Sequence, residues 1–171
     1  MSDLSGQEMQ EQQRLAHLYN LSILDSEPDP KFSRIVRLVK RVLDVPIAAI
    51  SLIDQRRQWC LELQGADFVE IPRHDSFCQH TIQQGSTLVI PDARADARVA
   101  GSPLVSGDAG IRFYAGHPLT LCPDIRLGAL CVFDTKPRSM GEEDIQFLAD
   151  LAETVVNELK ASMLINIMAQ R

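Results

Sequence analysis

Two hydrophobic periods divide this chain into helices and strands. Phe32, Ile35, Val36, Val39, Val42 and Leu43 recur at spacings of three and four, the stripe of an amphipathic helix. Upstream lies the turn Ser26-Glu27-Pro28-Asp29-Pro30. Asp29 can cap the helix, and Pro30 takes its first position, where a missing N–H costs nothing. From Gln7 to Asn20 the chain is rich in Glu and Gln, with Leu15 and Leu18 three apart. A helix there has a narrow apolar stripe, predicted to serve another helix. Ile145, Leu148, Ala152, Val155, Leu159 and Met163 repeat in the same way behind Ser139-Met140-Gly141-Glu142, which has capping-box spacing. A helix of roughly 30 residues would run about 45 Å at 1.5 Å per residue, longer than the domain beneath it.

Pro46 to Asp54 is apolar at nearly every position, which predicts a central strand covered on both faces. Gln55-Arg56-Arg57 turns the chain into Gln58 to Gln64. There Trp59, Leu61 and Leu63 alternate with Gln58, Cys60, Glu62 and Gln64, predicting a half-buried strand in a hairpin with the first. Gly65 to Asp75 reads as a loop, and Ser76 as the cap of a short helix over Phe77 to Gln84 that ends at Gly85. Thr87 to Ile90 is a brief strand. Pro91 to Gly110 is long for a connection and is expected to form a structured wall. Further strands are expected over Ile111 to Leu119 and Arg126 to Asp134. Helices at both ends and strands between them predict an α+β domain, an antiparallel sheet backed by terminal helices.

At 171 residues the chain fits one domain, able to bury roughly 70% of its unfolded surface, and a separate output domain is not expected. Hydrophobic residues at 45% and charged residues at 23% place it among globular proteins rather than disordered ones. A net charge of -6 supplies no basic stripe, so no nucleic-acid partner is expected. No apolar run approaches 18 residues, and Met1-Ser2-Asp3-Leu4-Ser5-Gly6 is not a secretory leader. The expectation is a cytoplasmic protein without membrane contact. Cys60, Cys78, Cys122 and Cys131 form no CxxC pair and no closely spaced Cys/His set, which argues against zinc. No metal or cofactor is expected, and Cys78 and Cys131 read as small buried apolar residues.

Candidate chemistry centres on two segments. Along Ile111 to Leu119, Ile111, Phe113 and Ala115 form one facial set, and Arg112, Tyr114 and Gly116 the other. Cys78 and His80 would invite a thiolate–imidazole dyad, but residues two apart on a helix point roughly 200° from each other. Cys78 groups with Ile82, and His80 with Phe77, Thr81 and Gln84. His80 is the better pocket candidate, since a neutral imidazole offers a donor and an acceptor and titrates near neutral pH. His17, His74 and His117 have no paired ligand spacing and read as surface or turn residues. Asp134 and Arg138 flank the turn before the last helix, where an ion pair would fix its entry.

Four stretches carry a family likeness. They are Ser76-Phe77-Cys78-Gln79-His80-Thr81-Ile82, Leu88-Val89-Ile90-Pro91-Asp92-Ala93, Ile111-Arg112-Phe113-Tyr114-Ala115-Gly116-His117-Pro118-Leu119 and Leu127-Gly128-Ala129-Leu130-Cys131-Val132-Phe133-Asp134. From about Leu15 to Leu159 the chain resembles the GAF domains of bacterial sensor histidine kinases and diguanylate cyclases. The resemblance implies a GAF-like, PAS-related antiparallel sheet of five or six strands, with N- and C-terminal helices on one face and a pocket on the other. It divides the chain into an N-terminal helical extension (1–14), the GAF domain (15–160) and an extension of the last helix (161–171). It also implies that Arg112 and Tyr114 point into the pocket, where a guanidinium fork suits a carboxylate or phosphate. The competing role for Arg112 is an ion pair with Asp92, Asp96 or Asp108 that fastens the long loop.

The expected ligand-binding set is therefore Arg112, Tyr114, His80, Phe77, Thr81, Cys78 and Asp92, with no catalytic residue. Gln79 follows Cys78 and no Cys-His pair occurs, unlike bilin-binding GAF domains. The Asn-Lys-x-x-x-Phe-x-x-x-Asp-Glu signature of cyclic-nucleotide GAF domains is absent. The expectation is a stand-alone sensory or regulatory domain that binds a small molecule or a signalling protein, pairs as a homodimer and signals through its terminal helices. Two alternatives compete with it. One is thiol redox chemistry of the free methionine-R-sulfoxide reductase type, whose cysteine contexts do not match. The other is a scaffold whose pocket is filled by its own side chains.

Overall fold

In a computed structural model that describes residues 2–170, and side chains from residue 5 to 170, six strands form one antiparallel sheet. They are β1 (Ile47–Ile53), β2 (Arg57–Gln64), β3 (Glu70–Pro72), β4 (Leu88–Ile90), β5 (Phe113–Cys122) and β6 (Ile125–Asp134). Their order is β3-β2-β1-β6-β5-β4, so β1 and β6 are central. β1 is buried at every residue, as its unbroken apolar run predicts. The helices are α1 (Ser2–Asn20), α2 (Pro30–Val42), α3 (Cys78–Thr81), α4 (Pro103–Ser106) and α5 (Glu142–Ala169).

The sheet separates two cores. On one face α1, α2 and α5 pack through Leu15, Leu18, Phe32, Val36, Val39, Leu148, Ala152, Val155 and Leu159 against Ile50, Leu52, Phe113 and Leu130. Fully burying each of the Leu, Ile, Val and Phe side chains contributes about 1.5–3 kcal/mol. On the other face α3, α4 and the long 91–110 connection cover Ala49, Ile53, Tyr114, Ala129, Cys131 and Phe133. Helix α2 starts as its sequence dictates: Asp29 Oδ1 accepts the Lys31 N–H at 3.0 Å with Pro30 in the first turn.

Several expectations need correction. The Leu15/Leu18 stripe of α1 is not free for another helix, because both residues join the sheet's own core. Val42, assigned to the α2 stripe, is exposed. The 65–75 segment is not all loop: β3 pairs with Arg57, Gln58 and Trp59 of β2, and a 3₁₀ turn succeeds it over Arg73–Asp75. Strand β2 is not half-buried with one apolar face. Its pairing with β1 shifts between Ile50 and Ser51, leaving Leu61 as the extra residue of a bulge. One added residue reverses the facing of the strand beyond it. Trp59 and Leu61 therefore meet the helices, whereas Leu63 turns to the opposite core and Glu62 reaches Ser33 of α2.

Two helix starts also differ. Ser139 makes no cap for α5, whose N-cap is Gly141, and Glu142, Glu143 and Asp144 place negative charge in the first turn instead. The helix at Ser76 is only four residues long, although Ser76 Oγ does accept the Gln79 N–H at 3.1 Å. The expected Asp134–Arg138 pair forms at 3.0 Å, and Arg138 also donates to the carbonyls of Leu43 and Asp44.

Candidate functional site

On the face opposite the terminal helices, β5 and β6 each place an aromatic ring in the second core, Tyr114 and Phe133, and the segment entering α3 adds Phe77. Ring centroids lie 5.2 Å apart for Tyr114–Phe133, 5.3 Å for Phe77–Tyr114 and 5.9 Å for Phe77–Phe133, distances typical of edge-to-face packing. Phe68 closes the group from the β2–β3 loop at 5.5 Å from Phe133. The Tyr114 hydroxyl is also satisfied internally, 2.7 Å from Thr81 Oγ1 and donating to Cys78 Sγ at 3.2 Å. Phe77, Cys78, Thr81 and Tyr114 thus do come together, and each is shut off from solvent. The Tyr114 ring fills the space between Phe77 and Phe133.

The remaining members of the expected set lie around this plug. His80 is half-buried, and burial together with the neighbouring Arg98 charge lowers its pKa, which favours the neutral imidazole. Arg112 fastens the long loop, but by donating to the Val105 and Ile111 carbonyls at 2.9 and 3.0 Å rather than to an aspartate. Asp92 accepts the Arg94 N–H and pairs with the Arg94 guanidinium, capping the 3₁₀ turn Ala93–Ala95. Ile111 sits in the same core as Tyr114, not with Phe113, because β5 begins only at Phe113 and strict alternation does not extend upstream. Thr81 likewise shares the inner face with Cys78 rather than with His80.

One contact lay beyond the reach of the sequence. Cys78 of α3 and Cys131 of β6, 53 positions apart, bring their Sγ atoms to 3.6 Å. Burial opposes ionisation of both, and donors from Cys131, Ser51 and Tyr114 favour the thiolate at Cys78, so Cys131 is raised while Cys78 is the first of the pair to lose a proton. Cys60 is pushed up to about 12, chiefly by burial. Reactivity requires an exposed thiolate. With a disulfide-forming aromatic reagent, we expect Cys122, the one half-buried cysteine, to react first in the native protein, and all four after unfolding. Fast native labelling of Cys78 would contradict the sealed arrangement.

Open space lies at the edge of the plug. A cavity of about 530 Å³ is bounded by Ile47, Gly65, Ala66, Phe68, Leu104, Asp108 and Thr135, at the mouth between the β2–β3 loop and α4. Its size suits a small metabolite. None of the seven expected ligand residues lines it.

A second connection ties α1 to the end of the sheet. Arg14, almost fully buried, donates to the Ile53 carbonyl at 2.7 Å and holds Glu11 through two bonds of 2.9 Å. Glu11 in turn bridges to Arg73 in the 3₁₀ turn that leads to α3, and Tyr19 donates to Asp54 at 2.6 Å. Burial raises the Glu11 pKa, but hydrogen bonds from Arg14 and Arg73 outweigh it and hold the carboxyl down, from 4.5 to about 2. A depressed folded-state pKa gives stability that is present above 4.5 and lost as pH falls towards 2. Glu11→Gln is therefore expected to lower the melting temperature at pH 7 and to flatten its fall across that acid window. An unchanged acid limb would show that Glu11 is not its source.

The sheet order, with α1, α2 and α5 on one face and the α3/α4 cover on the other, defines a GAF-type α+β domain. The GAF domain family model matches residues 27–159, and the chain belongs to that family. Among curated proteins it is 37% identical over 147 residues to the cyclic di-GMP phosphodiesterase PA2567 of Pseudomonas aeruginosa. The match covers 85% of this chain and 25% of that protein, so the chain spans about a quarter of that relative's length. Among solved structures, the GAF domain of a phosphoenolpyruvate-protein phosphotransferase from Coxiella burnetii matches with a TM-score of 0.69 at 12% identity, covering 93% of this chain and 98% of that one. Free methionine-R-sulfoxide reductase from Neisseria meningitidis matches with a TM-score of 0.65 at 20% identity, covering 85% and 87%. These structures share the fold. No helix among the described residues is long and apolar enough to cross a membrane.

Proposed function

We propose that this GAF domain is a non-catalytic sensory or regulatory module whose output passes through its terminal helices. The observation that carries the reading is the Arg14–Glu11–Arg73 bridge. It connects α1 on one face of the sheet directly to the 3₁₀ turn that positions α3 and the aromatic plug on the other. A small molecule entering the cavity beside Phe68 would press on that plug, and any difference in its affinity for the two packings would bias α1. The activity named for the Pseudomonas relative points to cyclic di-GMP turnover as the output such a module would inform. A thiol enzyme is the weaker reading, because the paired sulfurs are sealed.

The far end of α5 supplies a route to a homodimer. Leu164, Ile165, Ile167 and Met168 are all exposed there, beyond the residues that pack on the sheet. Residues 15–160 would then be the GAF domain, with the Arg14–Glu11 anchor in the helical extension before it and the final turns of α5 the pairing surface. Deleting the residues after Lys160 is expected to convert a dimer to a monomer by light scattering while leaving the fold intact. A dimer of unchanged mass would reject helix-mediated pairing. A melting-temperature screen against a metabolite panel tests sensing itself, since any molecule binding the native state raises the transition. A panel with no shift would favour a protein partner over a small-molecule input.

A further inference from the structure

We propose that the cleft between the first half of α1 and the turn end of the sheet binds a small oxyanion, a carboxylate or phosphate carried by a polar metabolite. The cleft is a cavity of about 520 Å³, within the range of metabolite sites. Its walls are α1, the β1–β2 turn, the 3₁₀ residue Arg73, the end of α3 and the β5–β6 turn. Three guanidiniums, Arg14, Arg73 and Arg126, line it against two carboxylates, Glu11 and Asp124, which leaves one positive charge in excess (three minus two).

Those charges are not equally committed. Arg14 is engaged through all three nitrogens, by Glu11 and by the Ile53 and Arg126 carbonyls. Glu11 is shared between Arg14 and Arg73. Asp124 is exposed and stands 3.8 Å from Arg126, beyond hydrogen-bond distance and screened by water. Two guanidiniums therefore keep donors to spare. Arg73 uses only Nη1, on Glu11 and on the Asp54 and Gln55 carbonyls. Arg126 directs Nη1 to the Ile82 carbonyl, and its Nε is buried with no partner among the described residues.

A buried N–H without an acceptor is unfavourable, and a guanidinium is the donor that best matches the paired oxygens of a carboxylate or phosphate. An oxyanion in the cleft would draw on the unused donors of Arg73 and Arg126 together, and Gln55 and Gln83 at the rim would meet the polar remainder of the molecule. Such a ligand would lie against α1 beside its anchor. This last consequence rests on the regulatory reading above, whereas binding does not.

The test is calorimetric titration of the full chain with sodium phosphate in one arm and sodium succinate in the other, ionic strength held constant with sodium chloride. Saturable heat is expected in at least one arm, and the arm that responds identifies the headgroup. Arg126→Gln and Arg73→Gln should each weaken that response at least tenfold, and Asp124→Asn should preserve or tighten it. Absence of saturable heat in both arms, or full binding by both arginine variants, would overturn the proposal. Should Arg73→Gln fail to fold, Arg126→Gln decides alone, with a circular-dichroism melt confirming its native state. Hydrogen exchange of α1 with and without the responding anion separates binding from signalling. Saturable binding with unchanged α1 protection would leave the site standing and remove its signalling consequence.

Discussion

Gly128→Ala is expected to destabilise the domain by about 3 kcal/mol, a lowering of the melting temperature of roughly 6–12 °C for a chain of this size. Gly128 lies in β6 opposite Leu52 of the adjoining central strand β1. A methyl group built on it falls onto the backbone of that strand, against the carbonyl of Ser51 and the Cα of Leu52. Backbone cannot rotate away as a side chain can, so the two central strands would have to separate. Glycine in a strand interior often marks such a close approach. Gly101→Ala is the control: nothing lies within 4 Å of the added carbon, and its effect should stay within about 0.5 kcal/mol. Equal melting temperatures for the two variants would refute the close approach.

Tyr114→Ala should cost more still, about 3–5 kcal/mol, because it removes a fully buried ring from between Phe77 and Phe133. It also strips Thr81 and Cys78 of the hydroxyl they share. The atoms removed amount to a molecule of phenol, and apolar cavities of this type take up small aromatics. Added phenol is accordingly expected to raise the melting temperature of Tyr114→Ala and to leave the parent protein unaffected. Tyr114→Phe isolates the hydroxyl, with an expected cost of about 1–3 kcal/mol. If Tyr114→Ala melts like the parent, the tyrosine is not the filling of this face.

Much of the architecture was legible because burial on both faces or on one stripe leaves a direct trace in residue order. The apolar run of β1 and the α2 stripe behind Asp29-Pro30 are examples. The features that escaped depend on partners distant in the chain. The bulge at Leu61 is invisible in an alternating pattern, since it arises from pairing with β1. The approach of Cys78 to Cys131 requires α3 to lie over β6, which no local spacing announces. Strand alternation separates Tyr114 from Phe113, and Tyr114 lies on the face that the family resemblance implied. That it fills this face rather than lines a void results from three rings arriving from three separate segments. Arg14, the centre of the α1 attachment, gave no signal in a Glu- and Gln-rich segment, where an isolated arginine reads as a solvated charge.

Apart from its bonds to Glu11, Arg14 grips main-chain oxygens, those of residues 53 and 126. Every amino acid carries such an oxygen, so the identities at both positions are free to drift through evolution without loosening the clasp. The specification of those main-chain bonds rests on a single codon, and exchange at position 14 would remove them in one step, leaving Leu15, Leu18 and the Tyr19–Asp54 bond to hold the leading helix.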